Sequence, residues 1–328
     1  MFWNEIIYKI IRKEAQTMPK RKLILDCDPG HDDAVAIMLA GNHPDIDLLG
    51  ITVSTGNQTL EKTGKNALNI TNYLGIDVPV ALGSDRPIVR PLQIASDIHG
   101  ETGLDGFDFP VHTKTYHDLH AVEFIKDILL ASKNPVTIVT TGPMTNLALA
   151  ILMHPSIMER IEEVVLMGGA YGYGNVSPAA EFNILVDPEA ANIVFTSPLK
   201  VTMIGLDITR QVMVLPDIVR RMEKLDTKAS DLFVKLMDVF NENQRKVFGL
   251  PGGPLHDPVT IAYLIDPALL KTKHVNCAID LSQGISHGRT NCDMFDYLKL
   301  KRNTHVANAI DVDKFWSIVE DGLSATNK

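Results

Sequence analysis

The stretch Leu25-Asp26-Cys27-Asp28-Pro29-Gly30-His31-Asp32-Asp33 places four aspartates within eight residues, after an apolar run and before a helix-like one. So much like charge in one small volume needs an offset, because mutual repulsion raises carboxyl pKa values or demands a counter-charge. No lysine or arginine lies between Leu23 and Gly41. Part of the cluster has a plainer account. Asp32 and Asp33 fall in the first turn of a helix, where the macrodipole favours an anion by ~0.3–1 kcal/mol. That account leaves out Asp28, which shares the same space. A divalent cation resolves the repulsion, and an all-oxygen donor set selects a hard one, Ca²⁺ or Mg²⁺.

Two further segments carry groups suited to a site. In Gly252-Gly253-Pro254-Leu255-His256-Asp257-Pro258, the proline opens a helix and Asp257 stands just before it. Taken alone, Asp257 reads as an N-cap and His256 as a solvated or hydrogen-bonded histidine. In Asn175-Val176-Ser177-Pro178-Ala179-Ala180-Glu181-Phe182-Asn183, two amides and a carboxylate share one loop. A polar surface loop is one reading. A grip on sugar hydroxyls is the other, since donors and acceptors are both available. Haloacid-dehalogenase-type phosphatases also carry paired aspartates after a first strand, with Mg²⁺. Their pattern wants Thr or Val where this chain has Gly30, and it leaves the Asp32-Asp33 pair unused.

The elements that must position these groups alternate along the chain. Strands are predicted at 23–25, 48–53, 78–81, 136–139, 164–167 and 201–204. Helices are predicted at 32–40, 60–74, 120–131, 144–153, 217–224, 230–247, 258–264 and 310–319, with 83–106 as loop. Continuous β-branched runs suit strands buried on both faces, and their alternation with helices predicts a mostly parallel sheet. The fold class is therefore α/β: one domain over 18–328, an open, mostly parallel sheet with helices on both faces. In such sheets ligands bind at the carboxyl ends of the strands. Four segments fall there and should converge: Asp26–Asp33, Thr55-Gly56-Asn57, Thr140-Thr141-Gly142-Pro143 and Met167-Gly168-Gly169-Ala170.

Composition narrows the function. The net charge of −9 argues against a nucleic-acid partner, which asks for a clustered basic surface. No run approaches the ~18 apolar residues of a membrane span. Residues 1–17 are apolar but interrupted by charge, with no basic start or small-residue cleavage site, and read as an extension outside the core. The three cysteines, Cys27, Cys277 and Cys292, are odd in number and far apart, so neither a disulfide framework nor a zinc spacing follows. A reducing compartment is the default, and the expected location is cytoplasmic.

Taken in order, Asp26-Cys27-Asp28-Pro29-Gly30-His31-Asp32-Asp33-Ala34-Val35-Ala36-Ile37, Gly56-Asn57-Gln58-Thr59, Ile98-His99-Gly100-Glu101, Thr141-Gly142-Pro143, Val165-Leu166-Met167-Gly168-Gly169, the Asn175–Asn183 loop and His256-Asp257-Pro258 resemble the nucleoside hydrolases across residues 20–320. The resemblance implies a Rossmann-like core and hydrolysis of a ribonucleoside to ribose and free base. It implies one Ca²⁺ per subunit, held by Asp28, Asp32, Asp33, Asp257 and the Thr141 carbonyl. Asp28 would also be the general base that takes a proton from the attacking water. Asn57, Asn175, Glu181 and Asn183 would hold ribose hydroxyls, with Met167 and Phe182 lining the pocket and Asp26 behind. His256 would be the acid for the departing base, with His99 at the same end.

Some relatives place tyrosines on the helix before the His-Asp pair; here that helix offers Gln244 and Phe248, with Arg245 and Lys246 toward solvent. The purine-specific branch stacks the base on tryptophans, whereas this chain has only Trp3 and Trp316. The resemblance therefore favours uridine and cytidine over a broad inosine–uridine preference, and it implies a homodimer or homotetramer. The rivals are a Mg²⁺ phosphohydrolase and a nucleoside-binding protein without turnover.

Overall fold

The first strand, β1 (Arg21–Cys27), shows how the sheet is buried on both faces. Leu23, Leu25 and Cys27 enter one apolar layer and Ile24 enters the other, following the strand period of two. Residues 20–325 are described, from a computed structural model; the extension at 1–17, with Trp3, lies outside them. The other strands of the main sheet are β2 (Ile46–Val53), β3 (Val80–Leu82), β4 (Val136–Thr140), β5 (Ile161–Met167), β6 (Val201–Ile204), β7 (Leu270–Val275) and β10 (Thr304–Ile310). The short strands β8 (Cys277–Ile279) and β9 (Thr290–Cys292) form a separate antiparallel pair.

The sheet order is β3-β2-β1-β4-β5-β6-β10-β7, parallel throughout except for β7 on β10. Helices cover both faces. His31–Asn42, Leu60–Tyr73, Lys228–Phe248, Pro258–Ile265 and Val312–Ser324 pack on one side. Ala121–Ala131, Thr145–Met153 and Pro188–Thr196 pack on the other. The direction of strand order reverses between β1 and β4, and the crevice at such a switch point is where open α/β sheets place ligands.

The predicted α/β class and mostly parallel open sheet hold. The edge β7–β10 and the β8–β9 pair were not expected. Leu270–Val275 is buried only at its two ends and carries Lys271, Lys273 and His274 between them, so it lacks the apolar run that marks an inner strand. The last helix was expected from Ile310, which instead closes β10. Asp311 caps the helix by accepting from the Lys314 N–H at 3.1 Å, so the helix proper runs from Val312 to Ser324. A single helical turn, Ser96–His99, interrupts the loop expected at 83–106. Trp316 is buried edge-on against Phe315 and serves the core.

Candidate active site

β1 ends at Cys27, and the chain turns through Pro29-Gly30 into the His31–Asn42 helix. Gly30 donates its N–H to Asp33 Oδ2 at 3.0 Å. The Asp28 carboxylate is enclosed by backbone. It accepts the Asn57 N–H on Oδ2 at 2.7 Å. A Cβ on Gly56 would lie 2.0 Å from that same oxygen, and one on Gly142 would lie 2.5 Å from Asp28 Oδ1. Glycine is required at both positions because the backbone itself walls the carboxylate. Gly56→Ala is therefore expected to displace Asp28 and lower kcat by roughly 10²-fold, the effect of an ångström-scale misplacement, with circular dichroism unchanged. Wild-type turnover in that variant would remove Asp28 from the chemistry.

Asp32, Asp33 and Asp257 each present an oxygen within 4.8 Å of the other two, and all three residues are buried. Burial first, and then the neighbouring carboxylates, raise the pKa values of Asp28 and Asp257 well above the usual range and push Asp32 up to about 7. Asp33 is raised by burial and partly relieved by the Gly30 N–H and the Thr141 hydroxyl. The plainer readings do not account for this arrangement. Asp257 stands at the start of the Pro258–Ile265 helix but caps nothing with its side chain. Asp28 Oδ1 is buried and has no hydrogen-bond partner among the described residues, a condition it shares with seven other side-chain atoms, Asp26 Oδ2 among them. A hard divalent cation fits the three-carboxylate set of Asp32, Asp33 and Asp257; Asp28 stands beside that set but outside its 4.8 Å spacing. Asp26, one residue pair earlier on β1, faces the opposite layer. Its Oδ1 accepts from Thr52 Oγ1 at 2.6 Å and Asn146 Nδ2 at 2.8 Å, and burial pushes its pKa up to about 6.

The strand-end segments converge as expected. Thr141 Oγ1 donates to Asp33 Oδ1 at 2.7 Å, and the Thr141 carbonyl accepts from Asn183 Nδ2 at 2.7 Å. Asn183 Nδ2 also reaches the Met167 carbonyl at 3.2 Å. Asn57 Nδ2 donates to the Asp28 carbonyl at 3.1 Å and to Asp33 Oδ2 at 3.0 Å. Both amide nitrogens are thus committed inside the protein, and each Oδ1 is the atom left to face a ligand. Glu181 caps the Phe182–Val186 helix, accepting N–H bonds from Asn183 and Ile184, and a third from Gly169. Its pKa is nonetheless pushed up to about 7 by burial. Asn175 Oδ1 accepts from the Phe182 N–H at 3.0 Å and so closes the loop on itself.

At the other end of the site, His99 is buried and stacked with His31 and Phe240 at ring separations of 5.6 and 5.9 Å. Burial lowers both histidine pKa values, that of His31 to about 4. His31 Nε2 lies 2.9 Å from the Asp105 carbonyl and must donate to it, while the His31 N–H donates to His99 Nδ1 at 3.3 Å. His31 Nδ1 also lies 3.4 Å from His99 Nδ1. Gln244 is buried one turn beyond Phe240 on the Lys228–Phe248 helix. Phe248, Arg245 and Lys246 are exposed. His256 Nδ1 lies 2.6 Å from Thr209 Oγ1, and burial, then the Arg210 charge, drop its pKa to about 3.

Sequence reasoning did not assign His31, Asn146, Thr209 or Phe240. Two of them had a local signal: His31 lies within the Asp26–Asp33 string, and Phe240 falls four residues before Gln244 and so on the same helical face.

Comparison with known proteins identifies the family and the scaffold. The family described as inosine-uridine preferring nucleoside hydrolase matches residues 23–317. The pyrimidine-specific ribonucleoside hydrolase RihB of Escherichia coli is 50% identical over 304 residues, covering 93% of this chain and 97% of that protein. Among solved structures, a purine-preferring ribonucleoside hydrolase from Gardnerella vaginalis superposes with a TM-score of 0.86 at 35% identity, covering 93% of this chain and 99% of the other. A plant nucleoside hydrolase does so with a TM-score of 0.88 at 29% identity, over 93% and 99% of the two chains. The buried carboxylates at the β1–β4 switch point thus belong to a recognised scaffold: this chain is a member of the inosine-uridine preferring nucleoside hydrolase family.

Proposed function

We propose that this chain hydrolyses the N-glycosidic bond of uridine and cytidine with one bound Ca²⁺, and that Asp28 is its general base. The observation that carries the reading is the Asp28 carboxylate, buried with one oxygen unpartnered beside three further buried aspartates. Asp28, Asp32, Asp33, Asp257 and the second lone pair of the Thr141 carbonyl would hold the ion. When bound, it orients the ribose diol and water and eases loss of the water's proton. Asp28 Oδ1 accepts that proton as water adds to C1′ and the C1′–N bond breaks.

The ribose contacts are mostly acceptors. Asn57 Oδ1, Asn183 Oδ1 and the Glu181 carboxylate pull on hydroxyl protons and push electron density toward the oxocarbenium-like ring, which stabilises it as charge develops. Met167 and Phe182 bound the sugar pocket, and Asn175 holds the Phe182 loop in place. His256 is neutral at working pH, given its depressed pKa, so it assists the departing base by donating a hydrogen bond rather than a whole proton. His99 and Gln244 offer further polar groups at that end.

The pyrimidine preference rests on the 50% identity to a relative named pyrimidine-specific and on Trp316 being committed to the core. The family's name supports a broader inosine–uridine reading. Chromatography of a nucleoside panel, with and without chelator, separates them. Uracil and cytosine release, abolished by chelator, is expected; equal inosine cleavage would favour the broader reading, and phosphate release from nucleotides without base release would overturn both. A cytoplasmic location and a homodimer or homotetramer belong to the same proposal, supported by an odd number of cysteines with no disulfide spacing and by the family resemblance respectively. No helix among the described residues is long and apolar enough to cross a membrane.

The ion should also stabilise the fold. At Ca²⁺ a hundredfold above its Kd the gain is ~2.7 kcal/mol, or about 5 °C in melting temperature for a chain of this size. The carboxyls hold protons that Ca²⁺ must displace, and Asp32 titrates near 7. Since its folded pKa is raised, the proton-bound form is favoured as pH falls. The Ca²⁺-dependent shift should therefore shrink from pH 8 to pH ~5.5. Calorimetry showing a shift that grows on acidification would contradict this assignment.

A further inference from the structure

Cys277 and Cys292 are fifteen residues apart and have no place in the hydrolytic site, yet β8 and β9 set them directly opposite each other. Their sulfurs lie 3.2 Å apart. The Cys277 N–H donates to Asn303 Oδ1 at 2.8 Å and its carbonyl accepts from Asn303 Nδ2 at 2.9 Å, so both backbone groups point away from β9. The flanking Asn276–Asp293 and Asp280–Arg289 positions carry the ladder bonds instead. Cys277–Cys292 is therefore a non-hydrogen-bonded pair, the cross-strand position where Cα atoms stand closest, about 4.5 Å, within the range a disulfide spans. The two thiols differ in access. Cys277 is buried, whereas Cys292 is half-buried and lines a surface cavity with Tyr171, Arg289 and Met294.

We propose that this pair is a reversible modification site, converted to an intramolecular disulfide by exchange with a small-molecule disulfide. The Cys292 thiolate attacks one sulfur of the small disulfide and expels the first small thiolate. The Cys277 thiol then attacks Cys292 Sγ, and the second small thiolate leaves with the Cys277 proton. Two protein thiols are oxidised, one small disulfide is reduced to two thiols, and no other reactant is needed. The bond would pin β9, whose Thr290 Oγ1 accepts from the Ala170 N–H at 2.9 Å and donates to the Ala170 carbonyl at 2.7 Å. Ala170 follows Gly168-Gly169, the turn that donates to Glu181. The disulfide thus braces the loop beneath the ribose contacts.

The test is incubation of the folded full chain with oxidised glutathione, followed by denaturation in alkylating agent and intact-mass and peptide analysis. The expected product has lost about 2 Da, carries alkylated Cys27 and a 277–292 disulfide peptide, and melts higher than the reduced form until dithiothreitol is added. Cys277→Ser should instead stop at a glutathione adduct on Cys292, and Cys292→Ser should take up none. Alkylation of both Cys277 and Cys292 after oxidation, or a stable glutathione adduct on Cys292 in the unsubstituted chain, would overturn the proposal.

Discussion

Asp28→Asn is expected to lower kcat on uridine by about 10³-fold, within the 10²–10⁴ range of a lost general base, with the fold intact. The substitution is nearly isosteric. Its amide oxygen can still accept the Asn57 N–H that Asp28 Oδ2 accepts at 2.7 Å, so the wall formed by Gly56 and Gly142 is not disturbed. What disappears is a base at the buried, unpartnered Oδ1 position. The substitution also removes one anionic ligand of the proposed ion, so the comparison is made at saturating Ca²⁺, where kcat should fall far more than ribose binding does and a competitive ribose analogue should still bind within about tenfold. Pre-steady-state base release at the wild-type rate would reassign the base.

The legible part of this protein was whatever the chain states locally. The apolar runs of β1, β2, β4, β5 and β6 announce strands buried on both faces, and the site follows because strand ends carry Asp28, Asn57, Thr141 and Met167. Charge crowding in Asp26–Asp33 was visible without any structure. Asp257 was not, since it lies more than two hundred residues on and its local context is that of a helix start; only resemblance tied it to Asp32 and Asp33. Thr209 and Asn146 were illegible for a related reason. Each is an unremarkable polar residue, Thr209 closing the Leu206–Thr209 turn and Asn146 near the start of Thr145–Met153, and its partner, His256 or Asp26, is supplied by tertiary packing. The β7–β10 edge escaped because a charged, half-exposed strand has no periodic signature. The Cys277–Cys292 pair depends on a three-residue register that spacing cannot disclose.

Asp257→Asn should separate stability from function, with opposite signs. In the metal-free protein Asp257 is a buried carboxyl crowded by Asp32, Asp33 and Asp28, and its raised pKa means that ionising it costs folding free energy at neutral pH. The amide removes that repulsion. It takes away no cap, because the Asp257 side chain caps nothing, and the backbone carbonyl keeps its bonds from the Thr260 N–H at 3.0 Å and Oγ1 at 2.6 Å. The metal-free variant should therefore melt higher than metal-free wild type at pH 8, and the gain should fade as pH falls and the wild-type carboxyl takes up its proton. Ca²⁺ should then reverse the ranking. With one anionic ligand gone, the ion binds on the order of 10²-fold more weakly, the Ca²⁺-dependent rise in melting temperature largely disappears, and kcat/KM on uridine drops by about 10³-fold. Differential scanning calorimetry at pH 5.5 and 8, with chelator and with Ca²⁺, reads all four corners of this square. A variant that melts lower than wild type in chelator at pH 8 would show that Asp257 supports the fold directly, and would remove it from the proposed ion site.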